Sequence, residues 1–221
     1  MSNPLEIDAD RYGEVTAAYY DAAYAVLRES AQDVAFYAEL ARVSGGPALR
    51  LVQAPMQRFD LGSDRFALIY AAFRVFQHLY SVEDQLACLA CVRRQLAPGG
   101  TFAFDVFNPR LARMGAPEEP EAATVRFAVD GEEVVRYERV QRDAGTQLLR
   151  VRMRYERKLA GGEHANDEVE IQMRWFYRYE IEHLLARAGF RDVAIYGDFE
   201  KRPFAADSPD IIAVARQDRE A

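Results

Sequence analysis

The sequence is poor in the features that would assign it quickly. Cysteine is nearly absent: the two in 221 residues form Cys88-Leu-Ala-Cys91. Their i, i+3 spacing places both on one helical face, so a redox or metal pair is one reading. The flanking pattern is an amphipathic helix with no proline or helix start between them, which favours two small buried hydrophobes. No metal site is expected. No apolar run reaches the length of a membrane span, and residues 1–10 are acidic without an apolar stretch, so neither a membrane anchor nor a signal peptide is expected. A soluble cytoplasmic protein is the expectation. Positive charge is not in excess either. The formal net charge is −7, which argues against a broad phosphate-binding surface and a nucleic-acid partner while leaving room for a local basic patch.

What is present is core-forming material. Half of the residues are hydrophobic, with 13 Phe and 12 Tyr, enough for one sizeable core or a core with a small appended sheet. Residues 14–29 and 32–43 have helical spacing, and Ser44-Gly45-Gly46-Pro47 is a strong stop. Residues 48–54 alternate as a short strand ending at Pro55. Phe66–Ala71 is a nearly continuous apolar run, the mark of a strand buried on both faces. Residues 81–96 read as a helix with Ser81 as N-cap and Asp84 in its first turn, closed by Pro98-Gly99-Gly100. Residues 101–107 form another buried strand. Strand, helix and strand with such short joints make a βαβ unit and hence a parallel pair.

The period then changes. After a loop at 112–121, the segments 123–129, 132–142, 147–159 and 167–178 alternate with period two, and Asp130-Gly131 and Asp143-Ala144-Gly145-Thr146 are hairpin turns. These predict an antiparallel meander. Along its third segment Arg150, Arg152 and Arg154 share one face. They could grip an anionic substrate, but Glu168 and Glu170 are placed to pair with them across the ladder, and that is the favoured reading. Residues 180–188 form a short helix closed by Gly189. Residues 193–196 and 211–215 are two strands whose linker, 197–210, is too short for a helical crossover, so they are expected to be antiparallel.

Several of these segments carry a resemblance. Phe66-Ala-Leu-Ile-Tyr-Ala-Ala-Phe-Arg-Val-Phe-Gln-His-Leu79 is similar to the fourth strand and following turn of small-molecule class I S-adenosylmethionine (SAM) methyltransferases. Leu96-Ala-Pro-Gly-Gly-Thr-Phe-Ala-Phe-Asp105 resembles their junction between helix and fifth strand. Tyr19-Tyr20-Asp21, Ala188-Gly189-Phe190 with the closing hairpin, and a meander like the lid sheet of glycine and sugar-amine N-methyltransferases fit the same family. The resemblance implies an α/β fold: a Rossmann-like methyltransferase sheet, truncated by loss of its first βαβ unit, with an inserted antiparallel β-meander lid. The core would take residues 1–111 and 179–221, and the lid 112–178. It further implies SAM as cofactor, with Tyr20, Ala71 and Phe73 beside it, and His78 as the catalytic residue near the methyl acceptor. Asp105 and Asn108 would line the substrate pocket, with Arg174 and Tyr177 reaching in from the lid side. Each has a structural alternative: core aromatics for Tyr20 and Phe73, a helix cap for His78, and backbone donors for Asp105.

The departure from the family is as specific as the likeness. Family members place a strand, a Gly-x-Gly-x-Gly turn, a helix and a second strand ending in an acidic residue after the position of Gly46-Pro47. Such a unit takes roughly 30 residues or more. Here Ser44-Gly45-Gly46-Pro47 runs straight into Ala48-Leu49-Arg50-Leu51-Val52-Gln53, and Pro55 stands where the family has an acidic residue. Close approach of a main chain to a cofactor needs glycine, and ribose hydroxyls want a carboxylate. Three lost contacts of about 1–3 kcal/mol each weaken binding by several powers of ten.

The loss also bares one edge of the strand at Phe66–Ala71, an apolar edge that must be covered. Residues 49–54 could move into the vacated slot, the preferred expectation, or two copies could join edge to edge as a homodimer. Three functional readings remain open: a SAM-dependent methyltransferase acting on a small molecule with an impaired cofactor site, a non-catalytic methyltransferase-like module for binding or dimerisation, and an internally shortened form of an active parent. A binding domain in which the meander alone forms a ligand cup ranks lower, because it leaves the two apolar strands and the Pro-Gly-Gly junction unexplained.

Overall fold

The computed structural model describes residues 9–27, 32–45, 53–159 and 161–217, and the side chains from Gly13 onward. The chain divides into two compact units. One takes residues 1–30 and 114–173, the other 31–113 and 174–221. The N-terminal helix α1 (Ala9–Leu27) therefore shares a unit with the meander, whereas the sequence reading grouped residues 1–111 with the core.

The second unit is built on a four-stranded sheet in the order β1-β2-β8-β7. Strands β1 (Phe66–Ala71) and β2 (Leu96–Phe107) are parallel and joined through α3 (Val82–Gln95), as the βαβ pattern requires. The N-cap of α3 is Ser81, whose hydroxyl accepts from the Asp84 N–H at 3.1 Å. The Pro-Gly-Gly junction has a steric cause. A Cβ at Gly100 would lie 2.8 Å from the Ala97 carbonyl oxygen and 3.0 Å from that of Phe66, so only glycine lets β2 enter beside β1. Strands β7 (Arg191–Tyr196) and β8 (Asp210–Arg216) are antiparallel, and β8 lies antiparallel against β2. Residues alternating along β2 and β8 feed two cores. Phe102, Phe104, Val106, Ile211 and Ala213 pack with α3 and with α5 (Arg178–Arg187), and the Phe76 ring stacks on Phe104 at 4.5 Å. On the opposite face Ala103 and Ile212 pack with Phe36 and Tyr37 of α2 (Gln32–Ser44). Each of these large side chains contributes about 1.5–3 kcal/mol on burial.

One expectation changes here, and another lies mostly outside the described residues. The strand at Phe66–Ala71 is not buried on both faces. Among the described residues β1 pairs with β2 alone, and Tyr70 is 50% exposed with its ring stacked on Tyr37 at 4.8 Å. The side chains of the run are apolar on both faces, and composition does not report which edge of the strand is paired. The strand expected over 48–54 falls mostly outside the described residues, and Gln53 and Ala54 lie in no strand.

The other unit packs α1 on an antiparallel sheet in the order β3-β4-β5-β6, formed by Glu118–Val129, Glu132–Asp143, Leu148–Lys158 and His164–Arg174. Its core holds Val15, Tyr19 and Ala23 of α1 with Val125, Phe127, Val134, Met153, Tyr155 and Val169. Asp130 and Gly131 both take positive φ (52° and 83°), the backbone a two-residue hairpin turn needs. A short helix α4 (Leu111–Met114) and the start of β3 occupy the loop expected at 112–121. The last strand stops at Arg174 instead of continuing to 178. The backbone N–H of Tyr177 donates to the Glu180 carboxylate at 3.3 Å, which starts α5 at Arg178.

Candidate functional site

In open α/β sheets ligands bind beyond the carboxyl ends of parallel strands. In this protein that place is the turn after β1 and the end of β2. Phe73 and Arg74 follow β1 with φ of 62° and 63°, two successive non-glycine residues in the left-handed region. Their N–H groups donate to Asp105 near the end of β2, Phe73 to Oδ1 at 2.9 Å and Arg74 to Oδ2 at 3.0 Å. The Tyr37 hydroxyl, from α2, donates to the same Oδ1 at 2.7 Å. Asp105 is 3% exposed; burial pushes its carboxyl above the ordinary carboxylate range, against the three hydrogen bonds, which pull it down. Burial, then Asp105, pushes the Tyr37 phenol upward too. Arg74 reaches Asp210 at the start of β8 (3.1 Å), and its guanidinium lies 5.9 Å from the centre of the Phe107 ring. Burial raises the Asp210 carboxyl while Arg74 lowers it.

The structure thus brings Ala71, Phe73 and Asp105 to one strand end. Asn108 sits just beyond β2, where its side-chain amide donates to the carbonyls of Ala206 and Ser208 at 3.1 and 2.9 Å. His78 is exposed on the short 3-10 turn Val75–His78. Arg174 donates to the Tyr80 carbonyl at 2.9 Å and pairs with Glu180 at 3.2 Å, and Tyr177 caps α5. Tyr20 lies in the other unit, on α1, 38% exposed and 4.3 Å from the Tyr24 ring.

Four residues at this strand end escaped sequence reasoning: Tyr37, Arg74, Gln77 and Asp210. Gln77 is fully buried and ties two segments, donating to the Arg174 carbonyl at 2.8 Å and accepting from the Phe107 N–H at 3.2 Å. A polar residue inside the run Val75-Phe76-Gln77 was the available signal. Tyr37 was hidden among apolar positions of its helix.

The arginine row is occupied by carboxylates. Arg150 pairs with Glu170 at 3.0 Å, Arg152 with Glu168, and Arg154 with Glu121 and Glu156 at 2.8 and 3.0 Å. The cysteines are free and buried, and burial pushes the Cys88 thiol up to about 12.

Gly45, with φ of 72°, terminates a helix instead of following a strand, so it is not a phosphate- or ribose-type turn between strand and helix. At the tip of β1 the Phe73 and Arg74 N–H groups are bonded to Asp105, which accepts from Tyr37 as well.

A parallel βαβ pair continued by an antiparallel hairpin on one sheet, with a four-stranded antiparallel sheet inserted before the last helix, is a class I methyltransferase-like fold. Solved structures agree. The chain is similar to the CcbJ methyltransferase from Streptomyces caelestis, with 26% identity and a TM-score of 0.59 over 76% of this chain and 63% of that one. A SAM-dependent methyltransferase from Clostridium acetobutylicum matches at 15% identity and a TM-score of 0.64, covering 86% and 72% of the two chains. A SAM-bound amino pentose methyltransferase of calicheamicin biosynthesis from Micromonospora echinaspora matches at 22% and 0.60, covering 95% and 89%. The chain therefore spans less than two thirds of the length of the first of these relatives. No protein-family model matches the sequence, and no curated protein does.

Proposed function

We propose that this chain is a methyltransferase-like protein built around methyl transfer from SAM to a small molecule, and that by itself it holds the donor weakly. The observation that carries the reading is the tip of β1. Both N–H groups there are spent on Asp105, and the sequence offers neither a glycine turn nor an acidic ribose anchor elsewhere. The likeness to SAM-dependent and amino pentose methyltransferases supports the substrate class, a small and enclosed acceptor. His78 is the catalytic candidate beside the acceptor. Ala71 and Phe73 are the donor-side candidates. Asn108, Arg174 and Tyr177 are candidates for the rim on the acceptor side.

Isothermal titration with SAM tests this reading. Saturable heat only at millimolar donor is the expected result; micromolar binding overturns the weak hold, and silence at millimolar donor overturns methyl transfer.

A second reading is a non-catalytic module for binding or dimerisation, working in the cytoplasm. It is favoured by β1, an apolar strand that lies at the sheet edge among the described residues, with Tyr70 half exposed. A second copy pairing at that edge would cover it. Sedimentation across a concentration series separates the two: a stable dimer favours the second reading, a monomer the first.

A further inference from the structure

Two successive left-handed residues with side chains are unusual, and each costs on the order of 1 kcal/mol or more unless its surroundings hold it there. Glycine at both positions would remove that cost, yet the chain carries Phe73 and Arg74 (φ 62° and 63°). What offsets the strain is visible. One buried carboxylate accepts both N–H groups, at 2.9 and 3.0 Å, and the Tyr37 hydroxyl of α2 donates to the same carboxylate at 2.7 Å. Hydrogen bonds to a charged acceptor are the strong ones, about 1.5–3 kcal/mol each.

We infer that Asp105 is a positioning residue, a clamp that with Tyr37 fixes the left-handed Phe73–Arg74 turn and thereby aims Arg74 at Asp210 and over Phe107. Asp105 touches no ligand in this role. It acts on the tip of β1, where Ala71 and Phe73 stand, and the inference holds whether or not SAM binds.

The charged groups around the clamp come from every element packed on it. Asp33 and Tyr37 face it from α2, Tyr70 from β1 against Tyr37, Arg74 from the turn and Asp210 from β8; Asp198, which pairs with Arg202, acts on Asp210 from the loop after β7. The acids Asp33, Asp198 and Asp210 outnumber the cations Arg74 and Arg202, and burial raises the Asp105 carboxyl. Acidification therefore protonates Asp105 early and loosens both turn bonds together.

Nuclear magnetic resonance of the full chain reads this directly. On titration from about pH 7 to about pH 3, the Phe73 and Arg74 amide resonances should move together with one midpoint above the ordinary aspartate value of about 3.9. The step should vanish in Asp105→Asn. Tyr37→Phe removes a bond that lowers this carboxyl, so its midpoint should rise. Amides that do not titrate, or a midpoint unmoved in Tyr37→Phe, overturn the inference, and these readouts stand even where Asp105→Asn fails to fold. Strain supplies the second arm. Asp105→Asn should cut the folding equilibrium constant by about tenfold or more in the natural background, and by less than about threefold when Phe73 and Arg74 are both glycine. Equal losses in the two backgrounds would mean a general packing role and no clamp.

Discussion

Arg93 and Gly189 are fitted to each other. Arg93, in the last turn of α3, donates to the Ala188 carbonyl at 3.1 Å, where α5 ends. Its guanidinium fills the space beside Gly189: a Cβ placed there would lie 2.6 Å from Nη1 and 3.0 Å from Cζ. Gly189 also has φ of 86°, the left-handed backbone that closes a helix.

Gly189→Ala should therefore destabilise the protein by about 1–2 kcal/mol, from backbone strain plus displacement of Arg93. In the Arg93→Ala background the clash is gone and the strain remains, so the same substitution should cost about 1 kcal/mol. Urea unfolding of the four variants measures both. Equal costs in the two backgrounds would show that Arg93 yields freely.

The Tyr19 hydroxyl donates to Asp167 at 2.6 Å, and its ring stacks on Tyr155 at 4.7 Å, which fastens α1 to the meander sheet. Tyr19→Phe keeps the stacking and loses the charged hydrogen bond, for a loss of about 1–2 kcal/mol near neutral pH. Burial, then the bond to Asp167, lifts the phenol from 10.0 to about 12. A raised acid favours its protonated form in the folded state. The stabilisation is thus complete below pH 10.0 and is lost as pH rises toward about 12. The difference between wild type and Tyr19→Phe should shrink over that window, in chemical unfolding monitored by circular dichroism.

Cys88 and Cys91 are buried in the α3 core, and the Cys88 thiol is held up to about 12. Only a thiolate reacts, so Cys88 is inert in the native state. Titration with a thiol-reactive disulfide near pH 8 should modify no cysteine within minutes in native protein, and both at once in guanidinium. Rapid native labelling of either would revive a redox role.

Much of the second unit could be read from the chain. Ser81 and Asp84 announced α3, and the Pro-Gly-Gly junction and Gly189 marked its joints, because capping and left-handed backbone are local and specific to residue type. The parallel β1–β2 pair and the closing hairpin followed from linker lengths. The pairing of the arginine row with Glu168 and Glu170 also followed, since strand alternation fixes which side chains share a face. The boundary of the last meander strand did not: it depends on the Tyr177–Glu180 contact that starts α5, which competes with an alternating pattern that runs on to 178.

The sequence by itself determined the order of the elements, the absence of a glycine turn after Val43, and the apolar character of Phe66–Ala71. Those properties rest on neighbouring residues and on chain length. The tertiary structure alone decided that β1 is an edge among the described strands and that α1 joins the meander unit. It also decided that Asp105 accepts from Tyr37, Phe73 and Arg74 together. The reason is distance along the chain. The Asp105 partners lie 31, 32 and 68 residues away, and no local periodicity encodes which donors a buried carboxylate will meet once helix and strands have packed.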